Sequence, residues 1–174
     1  MTIPATRPDL TRIPQWYHGY VNAVNEADLE SAFRNQQNSF VPFLESLPEA
    51  KRDYRYADGK WTIREMLQHI IDAERVFSYR AMCFARKEET PLPSFDENAY
   101  ADNSKANNRD WTSMLEEYKS LRAATEIMFR SFDNEQLETA GTASGKSVYV
   151  LGIGFIIIGH INHHVNIIKE RYLS

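Results

Sequence analysis

Residues 148–172 read VYVLGIGFIIIGHINHHVNIIKERY, and this stretch decides how the chain folds. Its first half is apolar on nearly every side, as expected of a helix surrounded by neighbours, and its second half becomes amphipathic. The uncharged run Val148–Gly159 falls short of the roughly 20 residues that a membrane span needs, and it leads straight into His160 and His163. It predicts a buried helix rather than a membrane anchor. A helix of that kind needs partners, and three further segments carry apolar residues at helical spacing.

The first runs from about Asp28 to Leu47, where Leu29, Phe33, Phe40, Phe43, Leu44 and Leu47 share a face and Pro48 supplies a stop. The second, about Thr62 to Arg86, has its stripe in Ile63, Met66, Leu67, Ile70, Phe77, Ala81 and Phe84. Thr62, with Glu65 three residues on, reads as a capping box. The third, about Asp110 to Phe132, buries Trp111, Met114, Leu115, Tyr118, Leu121, Thr125, Met128, Phe129 and Phe132, with Asn107 and Asn108 as start signals. Four amphipathic helices of this length predict an all-α four-helix bundle, with residues 1–174 as a single domain.

The connections are uneven. Lys87–Arg109, with Pro91 and Pro93, is too long for a simple turn between antiparallel helices, and loops of that length often shape a site. Leu137–Val150, with Gly141 and Gly145 among Ser and Thr, predicts a small hairpin before the last helix. Ahead of Asp28, Pro4, Pro8 and Pro14 precede Trp16, Tyr17 and Tyr20, a stretch expected to wrap the bundle through its aromatics.

Charge and cysteine content narrow the function. Of 174 residues, 20 are Lys or Arg and 24 are Asp or Glu, so the net charge of -4 gives no general attraction for nucleic acid. A lone cysteine, Cys83, forms no internal disulfide and no thiolate metal site by itself, and it reads as a small core residue. Met1–Leu10 lacks the apolar stretch of an export signal, so the expected location is cytoplasmic.

The chemistry gathers on histidine. At about 100° per residue, His160 and His164 project from one face of the last helix, within the stripe of Ile153, Ile156, Ile157 and Ile167. Two buried imidazoles one turn apart cost desolvation unless each finds a partner, and a divalent cation accepts both neutral nitrogens at once. The alternative is that each is a core residue hydrogen-bonded to backbone. His69, at the edge of the second helix's stripe, points into a bundle corner and makes a third ligand without bending either backbone. His163 is the rival ligand, and His18 reads as a surface residue.

Three protein ligands leave coordination positions open, which separates catalytic from structural zinc sites; nitrogen donors suit zinc, nickel, copper or iron. Other polar residues nearby are pocket candidates. Asp72, three residues after His69, either orients that ring or is a solvated charge. Arg80 shares the face of His69 about 16 Å further along, placed to hold an anionic group or to form a surface or dimer salt bridge. Glu74 is expected to pair with an arginine. Asp72 and His163 are the candidate bases for a hydrolase.

Lys60-Trp61-Thr62-Ile63-Arg64-Glu65, His69-Ile70-Ile71-Asp72-Ala73-Glu74-Arg75, Pro93-Ser94-Phe95-Asp96 and Gly159-His160-Ile161-Asn162-His163-His164 together resemble the DinB-like superfamily of metalloenzymes across most of the chain. The resemblance implies an up-down-down-up four-helix bundle, commonly a homodimer, with a divalent metal, zinc or nickel, on the positions of His69, His160 and His164. It also implies chemistry on a small molecule of the kind done by transferases and an isomerase that depend on low-molecular-weight thiols, while the open three-histidine site by itself suits a hydrolase equally, needing only water and a base. A metal- or ligand-binding bundle without turnover is the alternative. Fold analogy assigns a class of site and no substrate.

Overall fold

A computed structural model describes residues 6–173, so Pro4 of the N-terminal stretch lies outside the described residues. In chain order the helices are α1 His18–Asn22, α2 Leu29–Glu45, α3 Glu49–Arg52, α4 Ile63–Ala85, α5 Glu97–Asn103, α6 Trp111–Arg130, α7 Asn134–Glu138 and α8 Val150–Ile167. The antiparallel strands β1 Ala140–Ala143 and β2 Lys146–Tyr149 form the hairpin between α7 and α8. Its turn uses Ser144 and Gly145, both at positive φ (53° and 74°), the pairing that follows strand twist in a two-residue hairpin.

Local signals explain where the long helices begin. Asp28 accepts from Ser31 N at 2.7 Å ahead of α2. Thr62 and Glu65 close a reciprocal capping box on α4, with both bonds present. The start of α6 departs from the sequence expectation: Asp110 is the N-cap, accepting from Ser113 N at 2.8 Å. Asn107 and Asn108 sit in a short 3-10 turn instead, and Asn107 ties back to Thr62 and Glu65 at 2.7 and 2.8 Å.

Cross-helix contacts fix the directions. Along α4 and α6, Glu74 meets Arg122 and Ser78 meets Thr125, so residue numbers rise together and the two helices are parallel. Along α2 and α6, Phe33 meets Phe129 and Phe40 meets Tyr118, an antiparallel pair. His69 meets His160 while Trp61 accepts from Tyr172, so α4 and α8 are antiparallel as well. The four long helices therefore run up, down, down, up, and the connection from α4 to α6 must travel the full height of the bundle. That is why residues 86–110 form a long crossover containing α5, pinned to the hairpin by Leu92 N to Thr142 O (2.9 Å) and Ser144 N to Leu92 O (3.1 Å).

Two apolar clusters fill the interior, one around Phe33, Phe84, Phe129 and Phe155, the other around Phe40, Leu44, Met66 and Tyr118. A chain of buried polar groups runs between them. Arg122, fully buried, donates to Glu74 Oε2 at 2.8 Å and to Gln36 Oε1 at 2.9 Å. Gln36 donates onward to Ile158 O and Asn162 Oδ1, and Asn162 to Ala23 O. With the turn Ile168–Tyr172 added, the last helix reaches 23 residues and by length and composition would cross a membrane. It is longer than its uncharged core suggested, but 72% of its most apolar window is buried within the protein, as in a core helix.

Before α2 the chain packs along α8. Arg7 donates to Val21, Val24 and Glu26 carbonyls around the end of α1. Tyr17 and Tyr20 face inward while Trp16 stays 54% exposed, so the wrap uses two of its three aromatics. His18 is not a free surface residue: its Nε2 lies 2.9 Å from Ile13 O and 3.0 Å from Leu10 O, and two carbonyl neighbours require that nitrogen to carry the proton. Where α1 crosses α8 the backbones nearly touch, since a Cβ on Gly159 would stand 1.9 Å from Tyr20 O.

Candidate functional site

His69 on α4 and His160 and His164 on α8 converge in the corner where these antiparallel helices meet. All three are buried. His160 Nε2 lies 2.9 Å from His69 Nε2 and 3.0 Å from His164 Nε2. A ring nitrogen offers one in-plane direction, for a proton or for a lone pair, so the central Nε2 has no means of forming two good hydrogen bonds at once. Three imidazoles pooled this way match the donor set of a divalent cation, whose tetrahedral nitrogen ligands stand about 3.3 Å apart at zinc bond lengths.

The electrostatics point the same way. Burial, and secondarily the nearby His163, pull the His69 pKa down to about 4. Burial followed by the neighbouring rings holds His160 and His164 well below the ordinary value. All three rings are neutral at physiological pH and present lone pairs, the form a metal requires. His164 Nδ1 is buried without a protein partner.

The cluster opens into a cavity of about 200 Å³ lined by Tyr17, Tyr20, Phe77, Phe95, Glu97 and His163. The Tyr20 ring stands edge-on to His160, with centroids 5.4 Å apart, and 5.3 Å from His163. The Trp61 ring lies tilted against His69, centroids 4.7 Å apart, and forms a wall shared with a second cavity, which His164 also reaches. Burial, then the charge of Glu97, then Tyr17 raise the Tyr20 pKa, so its hydroxyl stays protonated.

The other sequence candidates separate from this centre. His163 is exposed at the cavity rim. Asp72 neither orients His69 nor lines the cavity; it turns toward α6, accepts from Gln68 at 2.9 Å and lies 3.6 Å from Arg75 in a network with Glu117 and Arg109. Arg80 is buried and donates to Pro93 O at 2.8 Å and Ser144 Oγ at 3.1 Å, so it clamps the crossover to the hairpin and does not line the histidine cavity. Glu74 has its arginine in Arg122. Cys83 is half-buried and packs against the edge of the apolar core. Phe95 belongs to the Pro93–Asp96 motif but carried no indication that it faces a cavity, and Glu97 had no signal beyond lying in an overlong loop.

An up-down-down-up bundle with an inward-facing three-histidine corner defines a class of helical protein that gathers three neutral nitrogens where a metal ion could be held. The chain belongs to the DinB superfamily, whose family model matches residues 32–168. A curated relative, YfiT of Bacillus subtilis, is 24% identical over 156 residues, covering 81% of this chain and 86% of its own, and is named as a metal-dependent hydrolase pending proof. A solved structure of YfiT superposes with a TM-score of 0.67 at 19% identity, covering 95% of this chain and 91% of its own. It is described as a probable metal-dependent hydrolase with an unusual four-helix bundle topology. At that identity the likeness establishes the fold.

Proposed function

We propose that this protein is a metal-dependent hydrolase of a small molecule, with His69, His160 and His164 holding a divalent ion, for which zinc and nickel are the first candidates among the metals that imidazole suits. The observation that carries the reading is the pooling of three neutral Nε2 atoms at 2.9 and 3.0 Å on the floor of a cavity. A divalent ion at such an open site supplies Lewis acidity and lowers the pKa of water.

The chain's own groups divide the remaining work. The aromatic walls, buried at Phe77 and half-buried at Tyr17, Tyr20, Trp61 and Phe95, lower the polarity around the reacting group, which strengthens polar contacts inside. Tyr20, held protonated, is a hydrogen-bond donor beside His160 for oxygen that gains negative charge. His163, at the rim, is placed to accept a proton from the attacking water and release it to solvent. Transfer to a small thiol would use the same nitrogens, and the product distinguishes the two reactions.

Elemental analysis of untagged protein purified without chelator tests the site. We expect about one equivalent of zinc or nickel in the wild type and background levels in His69→Ala and His160→Ala. Wild-type protein that stays metal-free after reloading with either ion overturns the assignment. The loaded protein is then given an ester and amide panel with and without a small thiol. Hydrolysis without thiol supports the hydrolase, and a thiol conjugate formed only with thiol overturns it in favour of a transferase.

A further inference from the structure

The aromatic wall beside the histidines has a composition of its own. Tyr17, Tyr20 and Phe77 form a contiguous aromatic surface: Tyr17 meets Phe77 edge-on at 5.8 Å and Tyr20 at 6.2 Å, and Phe77 stands 6.2 Å from His160. Phe95 and Glu97, carried by the crossover, complete the wall, so among the described residues the only carboxylate lining the cavity stands beside aromatic rings. Among the described residues no lysine or arginine lines it. Arg80 lies 5.9 Å from the Phe77 ring but is committed to Pro93 and Ser144, and Lys60 lies in the adjoining cavity beyond Trp61.

Aromatic faces present negative potential, and several of them grouped with one carboxylate form the arrangement that recognises an organic cation. The volume of about 200 Å³ restricts the guest to a small molecule, below the usual range for drug-sized ligands. We infer that the substrate carries an ammonium group, quaternary or protonated, seated between Tyr17, Tyr20, Phe77 and Glu97, while its reacting group reaches the three histidine nitrogens. This inference rests on the metal-dependent reading for the reacting end alone; the cation seat is made by other side chains.

Choline and its uncharged isostere 3,3-dimethylbutan-1-ol are the probes, titrated calorimetrically into full-length protein in metal-loaded and metal-free form, with metal content measured on the same samples. Choline is expected to bind about tenfold more tightly than the isostere. Glu97→Gln, on the exposed first turn of α5, is expected to abolish most of that preference while leaving metal content unchanged, and Tyr17→Leu to weaken choline more than the isostere. Equal binding of the two probes, no binding of choline at millimolar concentration, or an unchanged preference in Glu97→Gln overturns the cation seat. Choline selectivity in protein that takes up no metal supports the seat and overturns the metal reading. Metal uptake without selectivity overturns the seat alone.

Discussion

Gly159→Ala is the sharpest perturbation the fold offers. The added methyl would lie 1.9 Å from Tyr20 O and 2.3 Å from Tyr20 C, both backbone atoms, whereas ordinary contact begins near 3.4 Å. Relief therefore requires α1 and α8 to separate by about 1.5 Å, the difference between those distances, because no side-chain rotation moves a main-chain carbonyl. Overpacking of this kind costs about 1–3 kcal/mol or more, against about 1 kcal/mol that Ala gains over Gly in a helix. A net loss of about 2 kcal/mol lowers the Tm of a chain this size by about 4–8 °C. Because α1 carries Tyr20, choline binding and metal occupancy are expected to fall with it. Thermal melts followed by circular dichroism provide the assay, with Gly19→Ala as the control: nothing lies within 4 Å of a Cβ there, so the same substitution is expected to be neutral or stabilising. A Gly159→Ala protein as stable as the wild type would refute the close crossing of α1 over α8.

Two further perturbations concern buried charge. Arg122→Leu leaves the Glu74 carboxylate buried without its cation, since the side chains are 0% and 1% exposed; a loss of about 3–5 kcal/mol in urea unfolding is expected, with Glu74→Leu/Arg122→Leu recovering most of it. For the metal-free protein, the unfolded chain binds a proton at His69 from its ordinary value of 6.5 downward, while the folded chain does so only near 4. Stability is therefore present above pH 6.5 and is lost as the pH falls through that window, by about 2 kcal/mol at pH 5 from this ring alone. Comparing urea midpoints with His69→Gln isolates the effect from Asp72 and Glu126, whose burial-raised pKa values act in the opposite sense. Equal pH dependence in the two proteins would contradict the burial of His69.

Periodicity made the long helices legible, because each buries a stripe whose spacing survives in sequence: Ile63, Met66, Leu67 and Ile70 all lie in the core. The i, i+4 spacing of His160 and His164 was legible for the same reason, and the hairpin was visible in its glycines. Partner identity was not. Whether Asp72 faces His69 or α6 depends on the rotation of α4 against two neighbours, and sequence spacing on one helix has no term for that. The partners of Arg80 and His18 left no trace in sequence because they are backbone carbonyls, of Pro93 for the one and of Leu10 and Ile13 for the other, and carbonyls leave no mark in a residue alphabet. Glu97 reaches the cavity because the crossover folds over it, an outcome of topology rather than of any local pattern.

The parallel course of α4 and α6 also governs how the chain finds its fold. No two consecutive long helices form an antiparallel hairpin: α4 and α6 are parallel, and the α2–α4 and α6–α8 pairs stand across the bundle from each other. Every antiparallel pairing must wait for chain segments far apart in sequence, and the histidine corner joins positions 91 residues apart. Closing such loops is entropically costly before any contact rewards it, so this bundle is expected to fold more slowly than an up-and-down bundle of equal length. A cation captured at that corner would fasten the final closure, making the site a latch on assembly as well as a place for chemistry.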